Sequence, residues 1–376
     1  MPPEYSDVVI EADVVIPDGY IAYATQITLD GGSITIADGG QLRSASDVEV
    51  TVEKNITGYG TGNGNYYLIS VPFLDDFYAG DVEGLIAPNA ADYDLYDFNP
   101  MGANNGENDA FEYREWRNYK ADPFLVYFAY GYLYANKEDV TLKFTNSAIQ
   151  NNFSGRYLSL SIDEDTEAPF GNWFLAGNFY TCNCYMVYVD DEFYVLETNF
   201  YVMNEAGTDL QLSDSEAALG LCEGAFVEIP ADGALLYLTY DPFSEKSGIL
   251  NITLTEGEGE IDQARIRFGK GNDLGKLSLR EKSQVYIPRE GKELAVAYTD
   301  RTGEMPVNFK AKKDGRYTMS FSTKGVNFSY LHLIDNLTGE DIDLLDTLTD
   351  SVSEYTFEAR TADNPDRFKV VYVTAE

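Results

Sequence analysis

The chain has 376 residues, with 63 Asp and Glu against 26 Lys and Arg, a single His and a net charge of −37; 14% of it is aromatic, chiefly 29 Tyr and 21 Phe. That length suffices for two or three domains with cores of their own, and the richness in Tyr, Phe, Thr and Val favours pleated sheet. So negative a field repels phosphate backbones and anionic lipid surfaces, and no run reaches the ~18 apolar residues that span a bilayer, so neither nucleic acid nor membrane insertion is expected.

The charge is uneven. Residues 1–240 hold 8 basic and 39 acidic residues, net −31, and residues 241–376 hold 18 and 24, net −6. The opening MPPEYSDVVIEADVV shows neither the basic n-region nor the continuous apolar core of a secretory signal. This fits a cytosolic chain, or a mature or trimmed one.

In chain order, residues 1–56 alternate brief apolar runs with Asp-Gly and Gly-Gly, as in DVVIEADVVIPDGY, ITLDGGSITIADGGQL and DVEVTVEKNI. No ten-residue window keeps a 3.6 period, so stacked β-rungs or a small sheet are expected, with no helix. An internal repeat follows. NYYLISVPF (65–73) aligns with NWFLAGNFY (172–180), DLYDFNPMG (94–102) with NFYVMNEAG (199–207), and GYLYANKEDVTLKF (131–144) with GAFVEIPADGALLYLTY (224–240). In the middle pair Tyr96, Asn99 and Gly102 match Tyr201, Asn204 and Gly207. Each copy reads as an opening strand, a strand and turn, and a closing hairpin, giving β modules over 57–148 and 153–243. From 249 to 376, strands such as ILNITL, ARIRF, QVYIP and YTMSFS recur between turns, the spacing of an antiparallel β-sandwich. The expected fold is thus all-β: a short β-rung, solenoid-like segment (1–56), two duplicated β-sandwich-like modules, and a C-terminal antiparallel sandwich.

Little in the sequence points to catalysis. His332 is the only histidine, in YLHLIDN, and on a strand it faces away from Leu331 and Leu333. A Ser-His-Asp or Cys-His triad would have to use it, and no Gly-x-Ser-x-Gly elbow accompanies it. GKGNDLGKL (269–277) departs from a phosphate loop: five residues separate Gly269 from Gly275, and Leu277 stands where a hydroxyl is required. A Gly-rich hairpin after ARIRF is the expectation. A glycosidase needs only two suitably spaced carboxylates, which 63 acidic residues could supply without any motif to mark the pair.

Calcium suits an acidic extracellular protein because it takes about six to eight oxygen ligands. DEDTEAPFGNWF (163–174) places Asp163, Asp165 and Glu167 like the first ligands of an EF loop, but Ala168 replaces the Gly and Phe174 the final Glu. An irregular calcium loop here, or near Asp75 and Asp76, is the remaining cation expectation; no other metal and no cofactor is expected. Cys182 and Cys184, in GNWFLAGNFYTCNCYM, sit at i and i+2, which on a strand puts both on one face in a spacing that strains a mutual disulfide. A zinc site would need Cys222 plus His332 or a carboxylate, and a disulfide from Cys222 to one of the pair is the other alternative. The repeat favours a plainer reading: this stretch is the opening strand of the second module, with Trp173 in the core where the first copy has Tyr66.

The segment FEYREWRNYKADPF (111–124) interleaves Tyr113, Trp116 and Tyr119 with Arg114, Arg117 and Lys120. Aromatic faces beside hydrogen-bonding side chains are what a sugar ring or a partner's side chain stacks against, so these three aromatics are the candidate binding residues.

Taken in order, GGSITIADGGQLRS, VTVEKNITGYG, YYLISVPF, EWRNYK, GYLYANKEDVTLKF, FYVMNEAGT, IDQARIRFGKG, GEMPVNFKAKKDGRYTMSFS, YLHLIDNLTGEDIDLL and YTFEARTADNPDRFKVVY form a series. It resembles the C-terminal β-rich region of large secreted or cell-surface proteins of Bacteroidetes, many of them type IX secretion substrates. The chain departs from that pattern in two places: it ends at RFKVVYVTAE without a sorting tail, and Phe179 stands where the second module usually has the proline that the first keeps as Pro72. The resemblance implies an extracellular or cell-surface, non-catalytic interaction region, adhesin-like, with a glycan or a host surface protein as partner. A structural stalk presenting an upstream domain, and an exported carbohydrate-active enzyme or its accessory module, are the alternatives.

Overall fold

In a computed structural model of the chain, residues 7–44, 46–62, 64–99, 115–149, 155–161, 170–190, 194–230, 233–242, 247–257, 259–345 and 352–375 are described. The protein is all-β: apart from two single-turn 3-10 segments, Ala79–Asp81 and Ala90–Asp92, every regular element among these residues is a strand. The Cα atoms group into two compact units: residues 1–195, 202–208 and 215–243, and residues 196–201, 209–214 and 244–376.

The first unit begins with stacked rungs. Strands β1 (Val8–Ile10), β2 (Val14–Ile16) and β3 (Ile21–Ala24) form one rung and β4 (Ile27–Leu29), β5 (Ile34–Ile36) and β6 (Gln41–Ser44) the next. Each pairs in parallel with its counterpart 19 or 20 residues later: Val8 with Ile27, Val14 with Ile34, Ile21 with Gln41. The Asp-Gly and Gly-Gly dipeptides supply the corners, and Gly19, Gly31 and Gly39 lie at positive φ there. A further strand, β7 (Val50–Ile56), adds to β5 in parallel and then pairs antiparallel with Val140–Asn146, so the rungs run directly into the first repeat copy. One hydrophobic core, from Ile16 and Ile36 through Val52 to Phe73, Tyr134 and Phe144, serves both.

The repeat emerges as equivalent pairings. Tyr67–Ser70 lies antiparallel to Gly131–Asn136 with Ser70 opposite Gly131, and Trp173–Gly177 lies antiparallel to Gly224–Glu228 with Gly177 opposite Gly224. The equivalence extends one strand ahead of the sequence landmarks, because β7 with Val140–Asn146 has its counterpart in Arg156–Leu160 with Ala234–Thr239.

The closing hairpins do not form. Gly131–Asn136 pairs with Tyr67–Ser70 and Tyr93–Phe98, whereas Val140–Asn146 joins the other sheet beside β7. Its counterpart Ala234–Thr239 likewise leaves for Arg156–Leu160 and Tyr185–Val189. The side chains explain the split. GYLYAN is buried on both faces as an inner strand, whereas VTLKFTN alternates as a strand with one face to the core. Between them the chain turns at Lys137, whose N–H donates to Asp92 O, and Asn136, whose side chain accepts from Glu138 N.

The two copies meet about a local pseudo-twofold axis. Ile69 bridges Glu223, and the equivalent residues Ala176 and Tyr130 bridge each other. Ser70 N donates to Cys222 O, as Gly177 N donates to Ala129 O at the matching positions. Ala129 and Cys222, the two acceptors, both hold a left-handed backbone at φ 65° and 54°, uncommon without glycine. The Ser70 hydroxyl ties the seam further, donating to Asn178 O and Glu223 O.

The second unit is one large curled sheet. Its order is Glu340–Asp343, Phe328–Asp335, Phe368–Thr374, Thr302–Lys310, Gln284–Arg289, Lys292–Thr299, Gly259–Phe268, Gly248–Glu256, Gly315–Lys324 and Val352–Ala359. The pairings are antiparallel except that Gly259–Phe268 and Lys292–Thr299 run in parallel. The hairpin expected after ARIRF is therefore replaced by a crossover, and Leu274–Gly275 pairs instead with Lys292–Thr299. Leu250, Ile266, Val285, Val307, Met319, Leu333 and Val370 line the concave core. Buried ion pairs secure its flank: Lys282 bridges Asp209 (2.8 Å) and Asp262 (3.3 Å), Lys276 binds Asp262 (2.7 Å), and fully buried Arg267 bridges Glu197 (3.3 Å) and Asp214 (3.2 Å).

Candidate functional site

Of the three aromatics marked in the sequence, Tyr113 lies outside the described residues. Trp116 opens the strand Trp116–Asn118, opposite Phe98. Its ring is half-buried and packs edge-on against Phe98 at 5.2 Å and Phe226 at 6.0 Å. Tyr119 packs edge-on against Phe124 at 5.2 Å and rests on the core of the first unit. The interleaved cations are equally engaged. Arg117 grips Asp97, which holds its guanidinium above the usual range, and lies over the Phe124 ring at 4.8 Å. Lys120 donates to Tyr93 O (2.7 Å) and to Asp94 (2.8 Å). Among the described residues of the segment, Trp116, Arg117 and Tyr119 are thus committed to packing and pairing, while residues 120–123 are exposed.

The aromatic surface lies beside it. Phe77–Tyr78 and Leu125–Val126 form a two-stranded ribbon in which Leu125 faces Tyr78 and Val126 faces Phe77. Phe77 and Val126 are buried, so alternation turns Tyr78, Leu125 and Tyr127 to the outer face. Tyr78 is 69% exposed, Tyr127 43% and Tyr130 48%, high values for so large an apolar ring. Tyr127 and Tyr130 lie 6.1 Å apart, and Tyr130 meets Phe174 of the second copy edge-on at 5.1 Å. The strip is held rigidly: the Tyr132 hydroxyl accepts from Tyr127 N (2.6 Å) and Asp76 Oδ1 from Phe128 N (3.0 Å). Ala129 and its hydrogen bond from Gly177 fix the next residue along. The hairpin expected over GYLYANKEDVTLKF (131–144) begins just after these rings, which lie outside the residues marked in the sequence. The available signal was a Tyr-x-x-Tyr immediately before a glycine, since aromatics in so tight a turn cannot all point inward.

The other sequence candidates are engaged in packing or local bonding. Asp75 and Asp76 accept hydrogen bonds from Asn146 Nδ2, Asp76 N and Phe128 N; most of the 163–174 loop lies outside the described residues. Among the described residues no group of three or more His, Cys, Asp and Glu is arranged to hold a metal ion. His332 donates to or accepts from Asp341 (2.7 Å), lies 3.6 Å from Asp343, and stacks on Tyr330 at 4.1 Å.

The cysteine stretch is not the single strand expected. The strand ends at Gly177, Cys182 lies in a bend, and Cys184 makes one bridge to Leu219 before Tyr185–Val189 begins. Asn178 causes the break: its amide donates to the carbonyls of Cys182, Leu219 and Gly220 while its oxygen accepts from Tyr180 N, giving the backbone local partners in place of a ladder. All three cysteines are free thiols with no exposed surface, and burial pushes Cys182 up to about 12 and Cys184 and Cys222 higher than an ordinary thiol. Trp173 is in the core, as expected from the repeat.

Comparison with protein-family models, curated proteins and solved structures returns no match.

Proposed function

We propose that this chain is a non-catalytic interaction region displayed outside the cell or on its surface, binding a glycan or a host surface protein in the manner of an adhesin. The observation that carries the reading is the strip of exposed rings Tyr78, Tyr127 and Tyr130, with half-buried Phe174 against Tyr130 and the 127–128 backbone held by Tyr132 and Asp76. An ordered aromatic surface of this kind marks a binding site more often than a scattered exposed residue does. Ring faces complement the C–H face of a sugar, and the phenolic hydroxyls can reach its oxygens. The acidic surround adds solubility and repels anionic surfaces, leaving uncharged glycans or basic protein patches as the natural partners for this strip.

A glycan and mucin array probed with the labelled chain tests this. Tyr127→Ala with Tyr130→Ala should lower the signal about tenfold, the loss of one to two ring contacts of about 0.5–1.5 kcal/mol each. Trp116→Ala, which removes a packing residue, should act only through stability. An array silent for the wild-type chain would sink the glycan form of the reading and favour a structural stalk, while turnover of a polysaccharide panel would revive the enzyme.

A further inference from the structure

The parallel strand pair leaves an opening in the second unit. In an antiparallel sheet a hairpin closes over neighbouring strand ends. Here Gly259–Phe268 and Lys292–Thr299 stop side by side, Phe268 beside Thr299, and their chains then diverge. The space between holds a solvent-open cleft of about 420 Å³, in the size class of small-molecule sites. Phe268, buried and packed edge-on against Phe328 and Tyr372, gives it a narrow apolar edge, and the Thr299 hydroxyl, bonded to the Tyr372 hydroxyl, and the Gly269 backbone give it polar edges.

The charges in the cleft are unusual for this protein. Glu197 lies at its base but is neutralised in place: its carboxylate binds Ser247 and fully buried Arg267. The rim carries Lys270 and Arg301, both exposed. Many of the chain's cations pair with a carboxylate, among them Lys54, Arg117, Lys120, Lys276 and Arg367. Among the described residues neither Lys270 nor Arg301 has one. Among the described residues that line the cleft, Asp300 is the acidic side chain beside them. In a chain of net charge −37, two cations with no carboxylate partner among the described residues form a local positive field where an anion can settle.

We infer that this cleft is a binding site for a small acidic saccharide, its carboxylate held between Lys270 and Arg301 and its ring against Phe268. The inference stands apart from the aromatic strip, which belongs to the other unit. Arg supplies a bidentate fork for a carboxylate and Lys a point charge, so the pair fixes orientation as well as charge.

Isothermal titration with D-glucuronate, its neutral amide and D-glucose on the intact chain tests it. Glucuronate should bind with a Kd on the order of 1 mM or better, the amide and glucose at least tenfold more weakly. Lys270→Ala with Arg301→Ala, both on the surface and expected to fold normally, should abolish the preference. Asp300→Asn should tighten glucuronate binding several-fold, and raising salt should weaken it. Absence of glucuronate binding, equal affinity for the neutral amide, or unchanged binding by the double variant would each overturn the assignment.

Discussion

Replacing Gly177 by alanine tests the seam between the two repeat copies. A Cβ built on Gly177 would overlap the Tyr130 carbonyl oxygen and stand 2.7 Å from the Ser70 Cβ, both from the opposite copy and both fixed by strand pairing. At Gly131 the nearest atoms are side-chain carbons of Leu175, at 2.8 and 3.0 Å, which can shift in part. At the pseudo-equivalent Gly224 nothing comes closer than 3.2 Å. Forcing a methyl into packed backbone costs about 1–3 kcal/mol, and the stiffer unfolded chain returns about 0.4–1 kcal/mol. The net expectation is about 2 kcal/mol lost for Gly177→Ala, less for Gly131→Ala, and a change within about 0.5 kcal/mol for Gly224→Ala. In a unit of this size 2 kcal/mol lowers Tm by about 4–8 °C. Both tryptophans, Trp116 and Trp173, belong to the first unit, so fluorescence-detected melting reports it alone. The reasoning fails if Gly177→Ala melts no lower than Gly224→Ala.

Three further expectations follow from buried polar groups. The three thiols should resist a water-soluble disulfide reagent in the native chain and react stoichiometrically in denaturant, because burial both hides them and disfavours their thiolates. In the second unit burial works against the carboxylates of Asp209 and Asp335, but Lys282 and backbone amides hold Asp209, and Arg367 and Tyr355 hold Asp335, below the ordinary carboxylate value of 3.8. A depressed carboxylate contributes its stability above its unfolded value and loses it as pH falls through the folded one, so the Tm of this unit, followed by calorimetry, should be level from pH 7 to 5 and decline below about pH 4. Asp335→Asn, which leaves buried Arg367 without this carboxylate, should cost about 3–5 kcal/mol and flatten that decline; an unchanged acid slope would refute the assignment.

Much of the fold was legible because its signals are local. Asp-Gly corners between short apolar runs mark the rungs, and alternation separates strands from turns throughout. The repeat was legible as well, since Ser70 and Gly177 occupy matching positions in recognisable strings. Partner choice was not, because it rests on residues far along the chain. Val140–Asn146 finds β7, whose pairing residues lie some ninety positions earlier, and GYLYANKEDVTLKF alone cannot show that its two strands part company. Likewise nothing around Trp116 announces that Phe226, from the second copy, will cover its ring. The exposed tyrosines were missed for the converse reason: a Tyr-rich run reads as core until the tight turn at Ala129 turns two of the rings outward.

The seam has an implication for how such a protein arises. Matching residues that meet across a twofold axis are what two identical chains present when they form a symmetric dimer, so the first unit has the geometry of a homodimer whose partners became one polypeptide. Once joined, the halves associate at a high effective concentration and need not remain alike. Positions 130 and 223 show how far they have parted: the first copy places Tyr130 on the outer surface, whereas the second places Glu223 against Lys54, which also binds Asp38 of the rungs. Joined in one chain, the halves put one equivalent position to two uses, an exposed ring in one and a tie to the scaffold in the other.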